Sequence, residues 1–324
     1  MRRCAKSATF GRYYKSMEKV LRIGTRDSEL AMWQAKKVQS LLENLGYTTI
    51  LVPVKSQGDL TLDVPLYEMG ITGVFTKVLD VAMLQGHIDI AVHSMKDVPT
   101  MLPKGIVKGA VLERANVQDV LVYKGNLDFL SMAEATIATG SLRRKAQWLR
   151  RYPTHSVENL RGNIATRLRK LEEQPWQGAI FAAAALERLQ HDNLQTLTLD
   201  WMTPAPAQGA IMAVALANDT YALEALAQIN SPKADAETDI ERRFLKRLEG
   251  GCTAPIGARA TLEGEQICFV GNLFSLDGQR AEEVRKTISA HQIGNSPEEA
   301  ADALLSQGGD ALMKEIRKAM NIQK

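Results

Sequence analysis

Two predicted helices in the middle of the chain start with arginines. The segment 143–170 holds nine basic residues and a single acidic one. Arg143 and Arg144 fall in the first turn of a predicted helix, where the helix dipole disfavours positive charge. The same turn offers Thr139, Ser141 and free backbone N–H groups, which together can hold an anion. This arrangement predicts an anionic ligand at the start of the helix.

The next predicted helix begins in the same way. Arg161, Gly162 and Asn163 form a turn before it, and Arg167 lies one helical turn further on. Arginine rather than lysine favours planar, two-pronged recognition of a carboxylate or a phosphate. A solvated basic face is the alternative, and it accounts well for the remaining arginines and the last lysine: Arg150, Arg151, Arg169 and Lys170. It accounts poorly for two arginine-bearing helix starts, so a small polyanion in a cleft is the better hypothesis.

A carboxylate follows a predicted buried strand. The apolar run Ile88–Val92 leads directly into the polar run His93–Pro99, which contains Asp97. Open α/β sheets place ligands at the carboxyl ends of their strands, which favours a catalytic or binding role. Aspartate before Val-Pro is also a common turn former, so a purely structural role for Asp97 is open as well.

One cysteine stands alone on a predicted tight loop. Gly250 and Gly251 end a charged helical run, and Pro255 fixes the exit of the loop. Cys252 is either a small residue that fills a crowded turn or an accessible thiol presented for covalent chemistry. The three cysteines are too few and too scattered for a disulfide framework or a zinc site, which favours a reducing, cytoplasmic setting. Cys268, in an apolar strand-like run, is predicted to be buried.

The elements that position these residues alternate between strand and helix. From residue 20 to about 190, short apolar strands precede helices, which predicts parallel or mixed sheets covered on both faces. We predict two α/β domains with a cleft between them and a small C-terminal α+β domain with an antiparallel sheet. Its last helix is predicted from Pro297 to Met320. The predicted boundaries are a disordered basic extension at 1–16, domain 1 at 17–114 plus 208–230, domain 2 at 115–207 and domain 3 at 231–324.

Composition excludes several classes of protein. The 324 residues are 45% hydrophobic and 24% charged, with no apolar run near the ~20 residues of a membrane span. Residues 1–16 hold five basic residues and no acidic ones; without them the net charge falls from +3 to −2, which disfavours a nucleic acid partner. That extension is similar to an organelle transit peptide, but a dispensable tail is the preferred interpretation. The five histidines lack metal-ligand spacing, and no nucleotide-binding glycine motif occurs.

Five motifs stand in order between about residue 20 and about residue 258: Arg22–Arg26, His93–Pro99, Ser141–Arg144, Leu160–Leu168 and Leu248–Cys252. Together they resemble those of the hydroxymethylbilane synthase family, also called porphobilinogen deaminases. The resemblance is weaker in the C-terminal tail and absent from residues 1–16. It implies two domains like those of periplasmic binding proteins, a third domain that carries the cysteine, and a monomeric state.

The resemblance also implies a reaction of tetrapyrrole (haem) biosynthesis. Four porphobilinogen molecules would be deaminated and joined head to tail on a dipyrromethane cofactor, itself held by a thioether to Cys252. Hydrolysis would then release the linear tetrapyrrole hydroxymethylbilane. Loss of ammonia leaves a cationic azafulvene, and a carboxylate beside the rings can stabilise that cation and carry protons. This is the role that the resemblance implies for Asp97, and no metal is required.

The binding residues of the family map onto positions of this chain. Those implied for substrate are Arg26, Ser28, Gln34, Arg161 and Arg167. Those implied for the cofactor, besides Cys252, are Ser94, Lys96, Thr139, Ser141, Arg143, Arg144, Asn163 and Gln208. Three positions depart from the pattern, since Gln57, Thr72 and Val78 stand where the family commonly has arginine, lysine and glutamate. The cysteine, the aspartate and the five arginines are all present, so activity is expected.

Two other functions are compatible with parts of the sequence. A non-catalytic protein that binds small anions could use the same cleft between two domains, and its Cys252 would then be unmodified. A nucleic acid binder could use the basic segment 143–170, and its binding would be sensitive to salt but not to changes at Asp97.

Overall fold

The computed structural model describes residues 19–54, 76–248 and 254–320. The predicted extension 1–16, the departures at Gln57 and Thr72, and residues 249–253 of the predicted cysteine loop, with Cys252, lie outside these residues. Within the described ranges, no helix combines the length and the apolar character needed to cross a membrane.

The first unit is built around a five-stranded mixed sheet. Its strands are β1 (Leu21–Arg26), β2 (Thr49–Val54), β3 (Ile90–Ser94), β4 (Ile106–Val111) and β10 (Ile211–Leu216). The spatial order is β2-β1-β3-β10-β4, in which β1 is parallel to β2 and β3, whereas β10 is antiparallel to β3 and β4. Three helices accompany the sheet: α1 (Glu29–Asn44), α2 (Lys77–Leu84) and α6 (Thr220–Ala227).

The second unit repeats this arrangement. Its strands are β5 (Asp119–Tyr123), β6 (Thr136–Ala138), β7 (Ser156–Glu158), β8 (Gly178–Ala182) and β9 (Thr196–Thr198). The order is β7-β6-β8-β5-β9, in which β6 is parallel to β7 and β8, whereas β5 is antiparallel to β8 and β9. Its helices are α3 (Leu142–Arg151), α4 (Ile164–Glu173) and α5 (Ala183–Arg188).

Both sheets are covered on their two faces, which explains the apolar character of their strands. In the first sheet, Ile23 packs with α1 on one face and Ala91 packs with α2 on the other. In the second sheet, Phe181 and Ile180 point to opposite faces, toward α4 and α3 respectively. The parallel strands of each sheet therefore end at a common edge, where loops can gather ligand-binding residues.

The third unit is an antiparallel sheet with helices on one face. Its elements are α7 (Pro232–Arg247), β11 (Ile256–Glu263), β12 (Gln266–Phe274), β13 (Ala281–Ser289), α8 (Ser296–Leu304) and α9 (Asp310–Ala319). The three strands lie in chain order. Together with the two mixed sheets, this unit confirms the predicted fold class of two α/β units followed by a small α+β unit.

Two details of the third unit were predicted wrongly. Cys268 is exposed, because its neighbours Ile267 and Phe269 take the side of the strand that packs on the helices and residue 268 must take the other. The predicted single helix from Pro297 to Met320 is interrupted at Gly308, whose φ of 131° lies outside the helical range.

A buried carboxylate joins the third unit to the other two. Glu241, on α7, is fully buried and forms a two-pronged ion pair with Arg114, both contacts being 2.8 Å long. Its oxygens also accept hydrogen bonds from the backbone N–H of Ala207 at 2.6 Å and from that of Ala260 at 2.7 Å. Arg114 follows β4, Ala207 precedes β10 and Ala260 lies on β11. One side chain of the third unit thus contacts its own sheet and the two segments that connect the first and second units.

Candidate active site

A small cavity lies at the carboxyl ends of β1 and β3. Its volume is about 80 Å³, and its lining includes the predicted residues Arg26, Ser28, Gln34, Ser94 and Asp97. The amide Nε2 of Gln34 donates a hydrogen bond to the Ser94 hydroxyl at 2.8 Å. The fold therefore brings together side chains from β1, α1, β3 and the short 3-10 turn at 95–97.

The same cavity contains His93, which was not among the predicted site residues. Burial, together with the positive charge of Arg26, lowers the pKa of His93 to about 4. The imidazole is therefore neutral at neutral pH, and it adds no positive charge near the Asp97 carboxylate. Its place at the start of the motif His93–Pro99, one residue before Ser94, is the sequence signal that could have identified it.

The turn that carries Asp97 is held by an arginine of the third unit. Arg242, on α7, donates to the backbone carbonyls of Met95 at 3.2 Å, Val98 at 2.9 Å and Pro99 at 2.6 Å. These three carbonyls surround residue 97 in the chain. The guanidinium thus fixes the turn by its backbone and leaves the Asp97 carboxylate free for other contacts.

Lys96 and Gln208 link the first unit to the second, because Gln208 also donates a hydrogen bond to Asp119 at the start of β5. The ammonium of Lys96 lies 3.3 Å from Oε1 of Gln208, and Gln208 is fully buried. Burial, together with the positive charge of Arg144, lowers the pKa of Lys96 to about 8. Gln208 follows Ala207, whose φ of 62° is unusual for a residue with a side chain, and this local strain marks a tightly specified turn.

Asp119 is the centre of the arginine cluster, and it was missed by sequence analysis. This carboxylate is fully buried at the start of β5. It pairs with Arg143 at 2.7 Å and with Arg144 at 2.7 Å, and it accepts a hydrogen bond from Nε2 of Gln208 at 2.9 Å. Burial alone would raise its pKa, but the two arginines hold that pKa well below the usual range. Asp119 is therefore ionised, and the cluster of two arginines and one aspartate keeps one net positive charge.

Arg143 and Arg144, in the first turn of α3, are almost completely buried. Arg143 also donates to the carbonyl of Thr203 at 2.7 Å, and Arg144 donates to the carbonyl of Ile180 at 2.9 Å. Burial lowers the pKa of Arg143. Ser141 is the N-cap residue of the helix and has an extended backbone conformation. Its backbone N–H donates a hydrogen bond to the Thr139 hydroxyl at 3.3 Å. The predicted helix start is thus observed, and its two arginines, Arg143 and Arg144, form ion pairs with Asp119.

The second predicted helix start is also observed. Asn163 caps α4, since its side-chain oxygen accepts a hydrogen bond from the backbone N–H of Thr166 at 2.8 Å. Nε of Arg167 donates to the carbonyl of Gly162 at 2.7 Å. Burial and the positive charge of Arg144 lower the pKa of Arg167 to about 10, which places this guanidinium in the same charge cluster.

Arg161 is the most incompletely paired member of that cluster. Its side chain is 7% exposed, and burial lowers its pKa. Among the described residues, its buried Nη1 has no hydrogen-bond partner. A buried guanidinium nitrogen without an acceptor is costly, which indicates that an anionic group belongs beside it.

A further arginine joins the two α/β units across the cleft. Arg188, on α5, lies 5.5 Å above the ring of Trp33 on α1, and it donates to the carbonyl of Gly209 at 2.7 Å. Burial lowers its pKa to about 10. This contact holds α1, which carries Gln34, close to the second unit.

The arrangement can bind an anion with several acid groups beside one carboxylate. Lys96, Arg144, Arg161 and Arg167 supply positive charge, and Asp97 adds a negative charge near them. Within residues 19–54, 76–248 and 254–320, no group of three or more possible metal ligands occurs. Cys252, the predicted attachment point, lies outside the described residues.

Comparisons with known proteins agree along most of the chain. The family model described as "Porphobilinogen deaminase, dipyromethane cofactor binding domain" matches residues 21–224, and the model "Porphobilinogen deaminase, C-terminal domain" matches residues 236–305. The porphobilinogen deaminase of Desulfitobacterium hafniense is 42% identical over 302 residues, which cover 92% of this chain and 97% of that protein. That of Syntrophotalea carbinolica is 39% identical over 300 residues, which cover 90% and 95%.

Solved structures of solute-binding proteins are more distant. The ancestral cationic amino acid solute-binding protein AncCDT-1 has a TM-score of 0.41 and 15% identity, over 70% of this chain and 90% of that chain.

Proposed function

The chain belongs to the porphobilinogen deaminase family, and from this premise we propose which of its residues carry out the reaction of that family. The protein is a transferase that condenses four porphobilinogen molecules head to tail, with release of ammonia, into the linear tetrapyrrole hydroxymethylbilane. The observation that carries this conclusion is the match of both family models, in order, across 21–224 and 236–305. The non-catalytic alternative is not favoured.

Asp97 is the catalytic residue in this proposal. When ammonia leaves porphobilinogen, positive charge develops on the pyrrole and its methylene carbon. A carboxylate that lines the cavity stabilises this charge and accepts the proton that the ring loses when the new carbon–carbon bond forms. The three hydrogen bonds from Arg242 support this role, because they hold the turn through its backbone carbonyls and not through the Asp97 carboxylate.

The arginine cluster binds the acidic side chains of the pyrrole rings. Each ring carries an acetate and a propionate group, so a growing chain brings two more negative charges with every addition. Arg26 in the small cavity and Arg161 and Arg167 in the cluster are proposed for substrate, with Ser28 and Gln34 as polar supports. The unpartnered Nη1 of Arg161 is the strongest support, since a carboxylate oxygen would remove its desolvation cost.

The family carries a covalently bound dipyrromethane cofactor, and the described residues fit a group with four carboxylates. When bound, it supplies the primer to which porphobilinogen units are added. We propose that a thioether to Cys252 holds it and that Lys96, Arg143 and Arg144 neutralise its acid groups. The remaining proposed contacts are polar and come from Ser94, Thr139, Ser141, Asn163 and Gln208.

Several broader statements belong to the same proposal. We propose that residues 17–114 with 208–230, residues 115–207 and residues 231–324 act as three domains. We also propose that the protein is a cytoplasmic monomer that uses neither nucleic acid nor a membrane. The near-neutral charge of residues 17–324 supports the part that concerns nucleic acid.

Intact-protein mass spectrometry tests the covalent part of this proposal. We expect a mass excess equal to two linked pyrrole rings on the parent protein, and its complete loss in Cys252→Ser. Cys268→Ser is the matched control, because Cys268 is an exposed thiol on the outer side of β12, and it should keep the excess. An unmodified but correctly folded parent protein, or an excess that survives Cys252→Ser, would contradict the proposed attachment.

The catalytic role is tested separately with Asp97→Ala. This variant should keep the mass excess but release ammonia from porphobilinogen roughly 10²- to 10⁴-fold more slowly, the usual contribution of a positioned acid–base group. Ammonia release at the parent rate would remove Asp97 from the mechanism without affecting the assignment of the cofactor.

A further inference from the structure

A second and larger cavity lies away from the small cavity of the active site, between the second and third units. Its volume is about 520 Å³, within the range of small-molecule sites. One wall is the face of the third sheet that is turned away from α8, formed by Arg259 on β11, Val270 and Asn272 on β12, and Arg285 on β13. The residues are paired across the strands, Arg259 with Val270 and Val270 with Arg285, so they share one face.

The opposite wall comes from α3 and from the segment that precedes β10. It includes Arg150, Arg151, Trp201 and Thr203. The guanidinium of Arg151 lies 5.0 Å above the ring of Trp201, which gives this wall a flat, aromatic and cationic surface. Such a surface suits a planar ligand that carries negative charge.

The four arginines of the cavity differ in their hydrogen bonds, ion pairs and ring contacts. Arg285 pairs with Glu283 at 2.8 Å, and Arg150 donates to the carbonyl of Gln279 at 3.1 Å. Arg151 is engaged only by the aromatic rings of Trp201 and Tyr152 among the described residues. Arg259 is partly buried in the wall and forms no hydrogen bond or ion pair with any residue in the described ranges.

The charges of the lining leave an excess of positive charge. Two acidic residues, Asp200 and Glu283, line the cavity together with the four arginines, and Glu283 is already paired. Arg259 and Arg151 thus line a shared space in which four arginines outnumber two carboxylates. Arg150, Arg151 and Arg285 are exposed and Arg259 is half-buried, and like charges gathered around one cavity repel each other unless an anion neutralises them.

We propose that this cavity is a second binding site, which takes a planar molecule with two or more carboxylates. Arg259 pairs with one carboxylate in two-pronged geometry, Arg151 and Arg150 meet another, and the ring of the ligand lies against Trp201. The site is separate from the small cavity of the active site, since the two cavities share no lining residue.

Benzene-1,3,5-tricarboxylate is a suitable probe, because it is planar and carries three acid groups. Titration calorimetry on the full-length protein should show binding that becomes about tenfold weaker in Arg259→Gln. Arg169→Gln is the control: Arg169 is an exposed arginine of α4 paired with Glu173 at 2.7 Å, and its loss should leave the affinity unchanged. Arg161→Leu, which alters the proposed active site, should leave the Arg259-dependent binding unchanged as well.

Tryptophan fluorescence gives an independent readout. The probe should quench emission from the parent protein, and the quenching should disappear in Trp201→Phe. Three results would overturn the proposal: no binding at millimolar concentrations of the probe, equal affinity in Arg259→Gln, or weakening that follows Arg161→Leu alone. If Arg259→Gln does not fold, loss or retention of quenching in Trp201→Phe decides the question.

Discussion

Replacement of Asp119 by asparagine would test the centre of the arginine cluster. The Asp119 carboxylate is fully buried and holds Arg143, Arg144 and Gln208 at distances of 2.7 to 2.9 Å. An asparagine side chain is nearly the same size as that of aspartate, so packing would change little. The Asp119→Asn change removes the negative charge that neutralises two buried guanidinium groups.

The expected cost follows from that burial. Removing one partner of a buried ion pair costs about 3–5 kcal/mol, because the other charge is left uncompensated. An asparagine oxygen can still accept from Gln208 and one arginine, so we expect the lower end, about 3 kcal/mol. That is a large fraction of the ~5–15 kcal/mol that stabilises a typical protein. It corresponds to a fall in melting temperature of roughly 6–12 °C at ~2–4 °C per kcal/mol.

Thermal unfolding followed by circular dichroism measures this loss, and ammonia release from porphobilinogen measures the effect on catalysis. We expect catalysis to fall at least about tenfold, equivalent to 1.36 kcal/mol of lost transition-state stabilisation, because Arg143 and Arg144 lose their fixed orientation. Asp192→Asn is the control, since Asp192 is exposed in the same unit. A variant within about 1 kcal/mol of the parent, with full activity, would refute the central role given to Asp119.

Two further predictions concern residues next to Asp97. The pKa of Lys96 in the folded protein, about 8, lies below its ordinary value, so loss of the proton favours the folded state. The free energy of unfolding should therefore rise between about pH 8 and pH 10.5 in the parent protein but not in Lys96→Gln. Denaturant unfolding at several pH values measures this difference, and an equal rise in both proteins would contradict the lowered pKa. Arg242→Leu should lower kcat about tenfold or more with little change in KM, because the turn loses three hydrogen bonds while the carboxylates of the substrate keep their partners. Arg243→Leu removes a neighbouring guanidinium that pairs with Glu298, so it is the matched control, and an equal loss of kcat in both variants would argue against a specific role for Arg242.

Features that depend on neighbouring residues could be predicted from the sequence. Ser141 and Asn163 mark the starts of α3 and α4 because capping is decided within one helical turn. The position of Asp97 after an apolar strand also followed from the local pattern, since β3 runs directly into the turn at 95–97. The same reasoning located the arginines, although it did not identify their first partner.

Features that depend on distant residues could not be predicted in this way. Asp119 stands 25 residues before Arg144 and 89 residues before Gln208, and nothing in the apolar strand around it indicates those contacts. The three-residue strand β9 has too few residues to show a period. For Cys268, an apolar neighbourhood suggested burial, but in a strand with one covered face the side on which a residue lies decides its exposure.

Glu241 gives the molecule a property that none of its units has alone. Its carboxylate is shared by Arg114, Ala207 and Ala260, which lie on segments from all three units. If one unit detached, the buried Glu241 carboxylate would lose some of its hydrogen-bond or ion-pair partners. The remaining partners would then have to compensate for the desolvation of its charge. Separation of one unit therefore has a free-energy cost at Glu241, and we expect the three units to unfold cooperatively. Truncated forms of the chain should for the same reason be poor substitutes for the whole.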